Sequence, residues 1–265
     1  MAKKMEMETF LSTLAKSLEP YYLPPATPGG YDINHIHEML RLGPQIKALT
    51  RYLDLDLDEY TAAVLLHNSD RPDELKKMLK VGEVGWKENW RQYLLSFFPG
   101  GPFNEPAVGR IVRAVLEHSK KDDELEDSVL LTALRIADKV VRLGPLGMMG
   151  QPANRGRYQM FYDPVDPFVY GSTEEDKLRA VWNDYFRVLE WIPMLLQRAL
   201  TANELWTLVD KNDIREEVHY IRGVGRMIAR VTGAENSVEE CLQKALGRTY
   251  DEFPPMKLSS RSRWW

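Results

Sequence analysis

Apolar residues recur at helical intervals along most of the chain, and this periodicity constrains the fold more than any other feature. They return every three or four residues over 36–53, which predicts one long amphipathic helix. Residues 59–68 are apolar nearly all round, which predicts a helix buried in the middle of a bundle. Alternation of the strand type is hardly visible. We therefore expect an all-α fold, with further helices at about 73–80, 86–97, 105–118, 124–143, 173–200, 203–210, 213–231 and 236–247.

Proline and glycine residues divide the chain into four predicted parts. A cluster of them at 144–152 opens a segment that runs to about residue 171 and is rich in Tyr, Phe and Arg. Such segments are usually binding loops or lids, although two small strands or a loop packed on the helices would also fit. No flexible linker follows, so we expect the C-terminal region to pack on the preceding domain. The parts are an N-terminal helix and linker at 1–29, a helical domain at 30–145, an aromatic and basic loop at 146–171 and a C-terminal helical extension at 172–265.

The composition excludes several classes of protein. At 44% hydrophobic and 28% charged, the chain of 265 residues has the make-up of a globular protein. Its uncharged apolar runs are far shorter than the roughly 20 residues of a bilayer span, so we expect no membrane segment. A formal net charge of −4 disfavours long nucleic acid as a partner. The single cysteine and the lack of a signal-peptide pattern predict a cytoplasmic protein, and a homo-oligomer stays open.

Three histidines stand at the ends of predicted apolar helices, and an aspartate lies inside another. His35 begins one helix, His67 and His118 end two others, and Asp138 is surrounded by apolar neighbours in a fourth. Burial of an uncompensated polar or charged group costs free energy, and one divalent ion would compensate such groups together. Imidazole and carboxylate ligands suit Mn, Fe, Co, Ni, Zn or Mg without selecting one of them.

Four segments resemble the motifs of the HD-domain phosphohydrolase superfamily. They are Asn34–Leu42, Ala62–Arg71, Val115–Ser119 and Leu134–Lys139. The resemblance covers about residues 30–145 and implies an HD-type helical bundle. It also implies that His35, His67 and Asp138 are ligands of one divalent ion. The implied activity is hydrolysis of a phosphoester, in a nucleotide or another small phosphorylated metabolite.

One position departs from the family pattern. Asn68 stands where the resemblance implies an aspartate as a further metal ligand. Its carboxamide oxygen can coordinate but brings no negative charge, so metal affinity should fall. Three interpretations are open: a natural variant that still binds metal, a protein that has lost hydrolysis, or a deliberate replacement that traps a complex. Asp70 is a candidate replacement ligand. His37 lies about 200° around the helix from His35 and is not expected to share the ion. His35 is favoured over His37 as the ligand, because the apolar residues around it then form the inward face of the helix.

Charged residues in or beside these motifs are candidates for the chemistry. A bound ion would polarise a phosphoryl oxygen and lower the pKa of a bound water. Asp70 is a catalytic candidate, by position only, to orient or deprotonate that water, and Arg71 could neutralise charge on the phosphate. The candidates for substrate binding are Arg41, His118, Lys139 and Arg142. A solvated helix face explains each cation at least as well. The alternative function is a catalytically degenerate HD-type binding or regulatory protein.

Overall fold

The computed structural model describes residues 6–22, 33–119, 128–143, 195–196, 199–210, 214–220, 223 and 230, and no strand occurs among them. The predicted all-α class is confirmed. The helices are α1 (Met7–Tyr22), α2 (Ile33–Lys47), α3 (Leu57–Leu66), α4 (Asp73–Leu79), α5 (Trp86–Leu95), α6 (Glu105–Glu117), α7 (Val129–Val140) and α8 (Ala202–Leu208), with a 3₁₀ turn at Thr50–Tyr52. Within this part of the chain, no helix has the length and apolar character that crossing a membrane requires.

The central helix of the bundle is α3. Seven of its ten residues are buried, and it packs against α1, α2, α6 and α7. Asp56 caps its start by accepting hydrogen bonds from the backbone N–H groups of Asp58 and Glu59. Because neighbours surround the helix, apolar residues occur on all its faces, as the pattern over 59–68 predicted. The helix ends at His67, which therefore lies inside the bundle.

The long helix predicted over 36–53 is wrong in its last third. Helix α2 ends at Lys47, Leu49 has an extended backbone with ψ of 137°, and the 3₁₀ turn follows. Leu49 and Tyr52 are nevertheless both buried. The apolar spacing continues because the turn also directs these side chains to the core, so periodicity alone could not locate the end of the helix.

Gly43 allows α2 and α3 to approach each other closely. A Cβ atom at this position would lie 2.5 Å from Cε1 of Tyr60. The Tyr60 ring cannot easily move, because it is fully buried and its hydroxyl donates to the backbone carbonyl of Met39 at 2.6 Å. The contact between the two helices therefore depends on the missing side chain.

We expect Gly43→Ala to lower the free energy of unfolding by about 1–3 kcal/mol, because the added methyl group overpacks the contact with Tyr60. Alanine in an open helix position would instead stabilise by up to about 1 kcal/mol. Gly109→Ala in α6 is the matched control, since nothing lies within 4 Å of its added Cβ. Urea denaturation of both variants checks the prediction. A Gly43→Ala protein as stable as the Gly109→Ala protein would contradict it.

The described C-terminal residues join the same core. Leu205 and Leu208 of α8 are buried in it, and the Tyr52 hydroxyl donates to the carbonyl of Ala199 at 2.6 Å. Helix α8 begins with a capping box formed by Thr201 and a glutamate three residues later. These contacts tie the chain near residue 200 to the turn that follows α2.

Most of the predicted C-terminal extension lies outside the described residues. Helix α8 corresponds to the helix predicted at 203–210, and residues 214–220 are helical within the predicted 213–231. The aromatic loop at 146–171 and the helix at 236–247 fall on residues that the structure does not describe. The four predicted parts of the chain therefore stay predictions.

Candidate metal centre

Three buried side chains from three helices meet inside the bundle. His35 lies in the first turn of α2, His67 at the end of α3 and Asp138 in the last turn of α7. Each offers one ligand atom, and the three atoms all lie within 4.8 Å of one another. The structure thus brings together three of the four residues predicted as ligands, in an arrangement that could hold a metal ion.

Backbone carbonyls fix the rings of two histidines. Nδ1 of His67 donates to the carbonyl of Val64, and Nδ1 of His118 donates to that of Val115, each at 2.7 Å. A carbonyl only accepts, so Nδ1 carries the proton and Nε2 of the neutral ring keeps its lone pair. Burial lowers the pKa of His67 well below its usual value and that of His118 to about 4. Near pH 7 both rings are therefore neutral, which is the form that coordinates metals.

Asp138 is ionised and lies against two cations. Its Oδ1 is 2.7 Å from a guanidinium nitrogen of Arg142 and 3.3 Å from Nε2 of His35, while its Oδ2 is 3.2 Å from Nζ of Lys139. Burial raises the pKa of the carboxyl, but Arg142 and Lys139, followed by His35, outweigh it and hold the pKa well below the usual value. The site therefore contains a buried negative charge that the chain itself already balances.

Asn68 and His118 form a second buried pair beside the three candidate ligands. Asn68 is fully buried, and its Oδ1 lies 3.3 Å from Nε2 of His118. The ring of His67 lies between those of His35 and His118, with centroids 5.4 Å from each. Because Nε2 of His118 holds a lone pair, a half-turn of the Asn68 amide would present its NH₂ group as the donor.

Asp70 and Arg71 follow in the turn after α3. The Asp70 side chain is largely buried, its Oδ1 has no hydrogen-bond partner in the described part of the chain, and Nε of Arg71 is 4.0 Å from it. Burial raises the pKa of the Asp70 carboxyl, an effect that Arg71 opposes. Arg71 also lowers the pKa of His118, together with Lys139. The positive charges of Arg71 and Lys139 therefore both act on this part of the site.

The structure does not bring Arg41 to the cluster. Its side chain is 57% exposed on α2, and its Nε donates to Glu38 at 2.8 Å. Six residues from His35 correspond to about 240° around a helix, so the two side chains leave α2 in different directions. His37, which was not expected to share the ion, is exposed as well.

A contact that the sequence reasoning missed supports the turn after α3. Nε1 of Trp90, in α5, donates to Oγ of Ser69 at 2.9 Å, and both residues are buried. Ser69 lies between Asn68 and Asp70, so this hydrogen bond holds the turn that carries several of the candidate residues. A tryptophan in an amphipathic helix is typical of core, and no sequence pattern pairs it with a serine 21 positions away.

We expect Trp90→Phe to weaken Mn²⁺ binding about 3- to 10-fold, because a smaller aromatic ring remains while the indole N–H that bonds Ser69 and holds the turn is lost. Trp86→Phe is the matched control, since Trp86 stacks on Trp90 at 5.8 Å and is only partly buried. Calorimetric titration of Mn²⁺ into both variants, with thermal unfolding alongside, checks the prediction. Equal affinities at equal stability would contradict a positioning role for Trp90.

Solved structures that share the fold of this chain include two that match more than 80% of its length. A structural-genomics protein of Lactobacillus plantarum matches with a TM-score of 0.58 at 15% identity, over 83% of this chain and 97% of that one. Bacillus subtilis YpgQ, whose crystal structure is a complex with ADP, matches with a TM-score of 0.52 at 14% identity, over 84% and 96%. At such identities the likeness shows the fold alone. No protein-family model and no curated protein matches the chain.

Proposed function

We propose that this chain is a metal-dependent phosphoester hydrolase of the HD-domain superfamily. His35, His67 and Asp138 are the protein ligands of its one divalent ion. The observation that carries the proposal is the meeting of two imidazoles and one carboxylate, all buried, within 4.8 Å. The ADP complex of YpgQ, which shares the fold, supports a nucleotide or another small phosphorylated compound as the substrate.

The donor set fits a divalent ion. His67 is held neutral with its lone pair on Nε2, and Asp138 is held ionised, so both are in the forms that coordinate. Two nitrogen donors and one oxygen donor suit Mn, Fe, Co, Ni, Zn or Mg. When bound, such an ion supplies a Lewis acid and lowers the pKa of a bound water. The helices hold the three side chains in place before any ligand arrives.

The chain's own residues supply the positive charge that binds the phosphate group and the carboxylate that orients water or accepts its proton. Arg71, Lys139 and Arg142 keep part of their side chains accessible, at 34%, 19% and 14% exposure, and they are the cations that bind and neutralise phosphate oxygens. Asp70 orients the attacking water or accepts its proton, because its buried carboxyl has a raised pKa and an oxygen without a hydrogen-bond partner among the described residues.

A second candidate function is a binding or regulatory protein with a degenerate centre. The observation that favours it is the environment of Asp138, whose two oxygens already lie against Arg142 and Lys139. Asn68 adds no negative charge that would favour an ion over these cations. In such a protein the cations bind the phosphorylated ligand, and no bond is cleaved.

Metal content and phosphate release distinguish the two candidates. The full chain is purified without chelator, its bound metals are measured, and phosphate release is followed from nucleoside mono- and diphosphates, ADP included, with each of the six metals added in turn. Turnover that a chelator abolishes and one added metal restores is the result expected for the hydrolase. Failure of every metal to bind or to give turnover would overturn the hydrolase and leave the binding protein.

A further inference from the structure

Asp138 is the only carboxylate among the three proposed ligands, and its charge is already balanced by the chain. Arg142 contacts Oδ1 at 2.7 Å, which is the same oxygen that faces His35, and Lys139 contacts Oδ2 at 3.2 Å. His35 and Asp138 are buried, and the side chains of Lys139 and Arg142 are 19% and 14% exposed. Arg142 and Lys139 therefore contact the carboxylate oxygens that a metal ion would need as its negatively charged ligand.

A divalent ion at this centre would lie beside positive charges. It would share Asp138 with Arg142 and Lys139, so it must either displace them from the carboxylate or be repelled by them. Asn68 contributes no charge that offsets this repulsion. Metal binding by the protein alone is therefore opposed by residues that touch the ligand itself.

An anion bound by the cations would reduce their repulsion of the metal ion. Arg142 and Lys139 remain partly accessible, and Arg71 is the third cation near the site. Among the described residues, these cations contact the carboxylates of Asp70 and Asp138, and a divalent ion adds positive charge beside them. A tetrahedral dianion that binds the cations offers them a partner in place of Asp138 and leaves the carboxylate to the metal.

We infer that metal and phosphate bind to this centre with positive coupling, because the phosphate group draws Arg142 and Lys139 away from Asp138. The inference rests on the proposed metal site and adds an order to its assembly: the ion is held firmly only when a phosphate group is present. Coupling between two ligands is reciprocal, so the metal strengthens anion binding by the same factor.

The test measures Mn²⁺ binding to the full chain in sodium sulfate and in sodium chloride at equal ionic strength. Sulfate serves as the tetrahedral dianion because it binds free Mn²⁺ only weakly, and equal ionic strength removes differences in screening. Free Mn²⁺ is followed by its electron paramagnetic resonance signal. We expect sulfate to lower the Kd for Mn²⁺ about tenfold, which corresponds to a coupling free energy of about 1.4 kcal/mol.

Two variants identify the residues responsible. Arg142→Gln should bind Mn²⁺ more tightly than the unmodified chain in chloride, and sulfate should then improve binding by less than about threefold. Lys139→Met provides the same test at the other oxygen. Arg113→Gln is the matched control, because Arg113 also pairs with a carboxylate four residues away on its helix, but at an exposed position.

The outcomes separate the coupling from the proposed function. A Kd for Mn²⁺ that is the same in sulfate and chloride overturns the coupling, even if the chain hydrolyses phosphoesters. Tenfold coupling without hydrolysis supports the inference and leaves the second candidate function. A chain that binds no Mn²⁺ in either salt contradicts both the coupling and the metal site on which it rests.

Discussion

His35→Ala is expected to reduce both metal binding and phosphate release by at least about 1000-fold, a loss that corresponds to the several kcal/mol that a catalytic metal ion supplies. In the proposed metal site His35 contributes one of the two nitrogen ligands, and its Nε2 lies 3.3 Å from Asp138. Without it, Asp138 keeps its contacts with Arg142 and Lys139, so the remaining ligands compete poorly for an ion.

His37→Ala is the matched control for that loss. His37 lies two residues further along α2 and is exposed. Its replacement by alanine removes an imidazole, as His35→Ala does. It should keep metal content and phosphate release within about twofold of the unmodified chain, as is usual for a surface position. Circular dichroism of both variants shows whether they remain folded. Equal losses in the two variants, or full activity of His35→Ala, would contradict the assignment of His35.

The sequence was most informative about polar residues that lie on the buried face of a predicted helix. The pattern around α3 predicted a helix with apolar residues on every face, and such a helix must lie in the centre of a bundle. His67, at the end of this helix, was therefore predicted to lie in the interior. The same reasoning placed Asp138 on the buried side of α7. Polar groups on the buried faces of two helices are predicted to lie close together, because burial of each one costs free energy unless a partner compensates it.

The sequence was least informative about which helices share a contact. The pair formed by Asp138 and Arg142 is four residues apart and could be read from helix spacing. The contact between Trp90 and Ser69 joins α5 to the turn after α3 and has no local signal. Arg41 shows the same limitation, since its place inside a motif makes it a candidate although the helix directs its side chain to the surface. Periodicity gives the buried face of a helix but does not give its partner.

Asn68→Asp is expected to tighten Mn²⁺ binding about 10- to 100-fold. The new carboxylate would add a negative charge in a fully buried position, where the interaction between charges is stronger than in water. Part of the gross attraction is lost because burying another charge costs solvation free energy. The carboxylate would also offset the repulsion from Arg142 and Lys139, which now balance Asp138.

The same substitution changes the surroundings of His118. Nε2 of this ring lies 3.3 Å from the Asn68 side chain and holds a lone pair, because Nδ1 donates to the carbonyl of Val115. The amide can offer an NH₂ group to that lone pair, whereas a carboxylate cannot. A carboxylate at position 68 should therefore raise the pKa of His118 from its value of about 4, since a nearby negative charge favours the protonated ring.

Turnover is expected to respond to Asn68→Asp less than metal affinity does. A metal held with more negative charge is a weaker Lewis acid toward its bound water, so activity should rise only if empty sites limit the unmodified chain. Isothermal titration with Mn²⁺ and with Co²⁺ measures the affinity of both forms. Asn34→Asp is the matched control, because it adds the same charge at an exposed position next to His35. Equal or weaker binding by the Asn68→Asp form would show that position 68 is not a ligand position, and the likeness to the HD-domain motifs would then lose its support there.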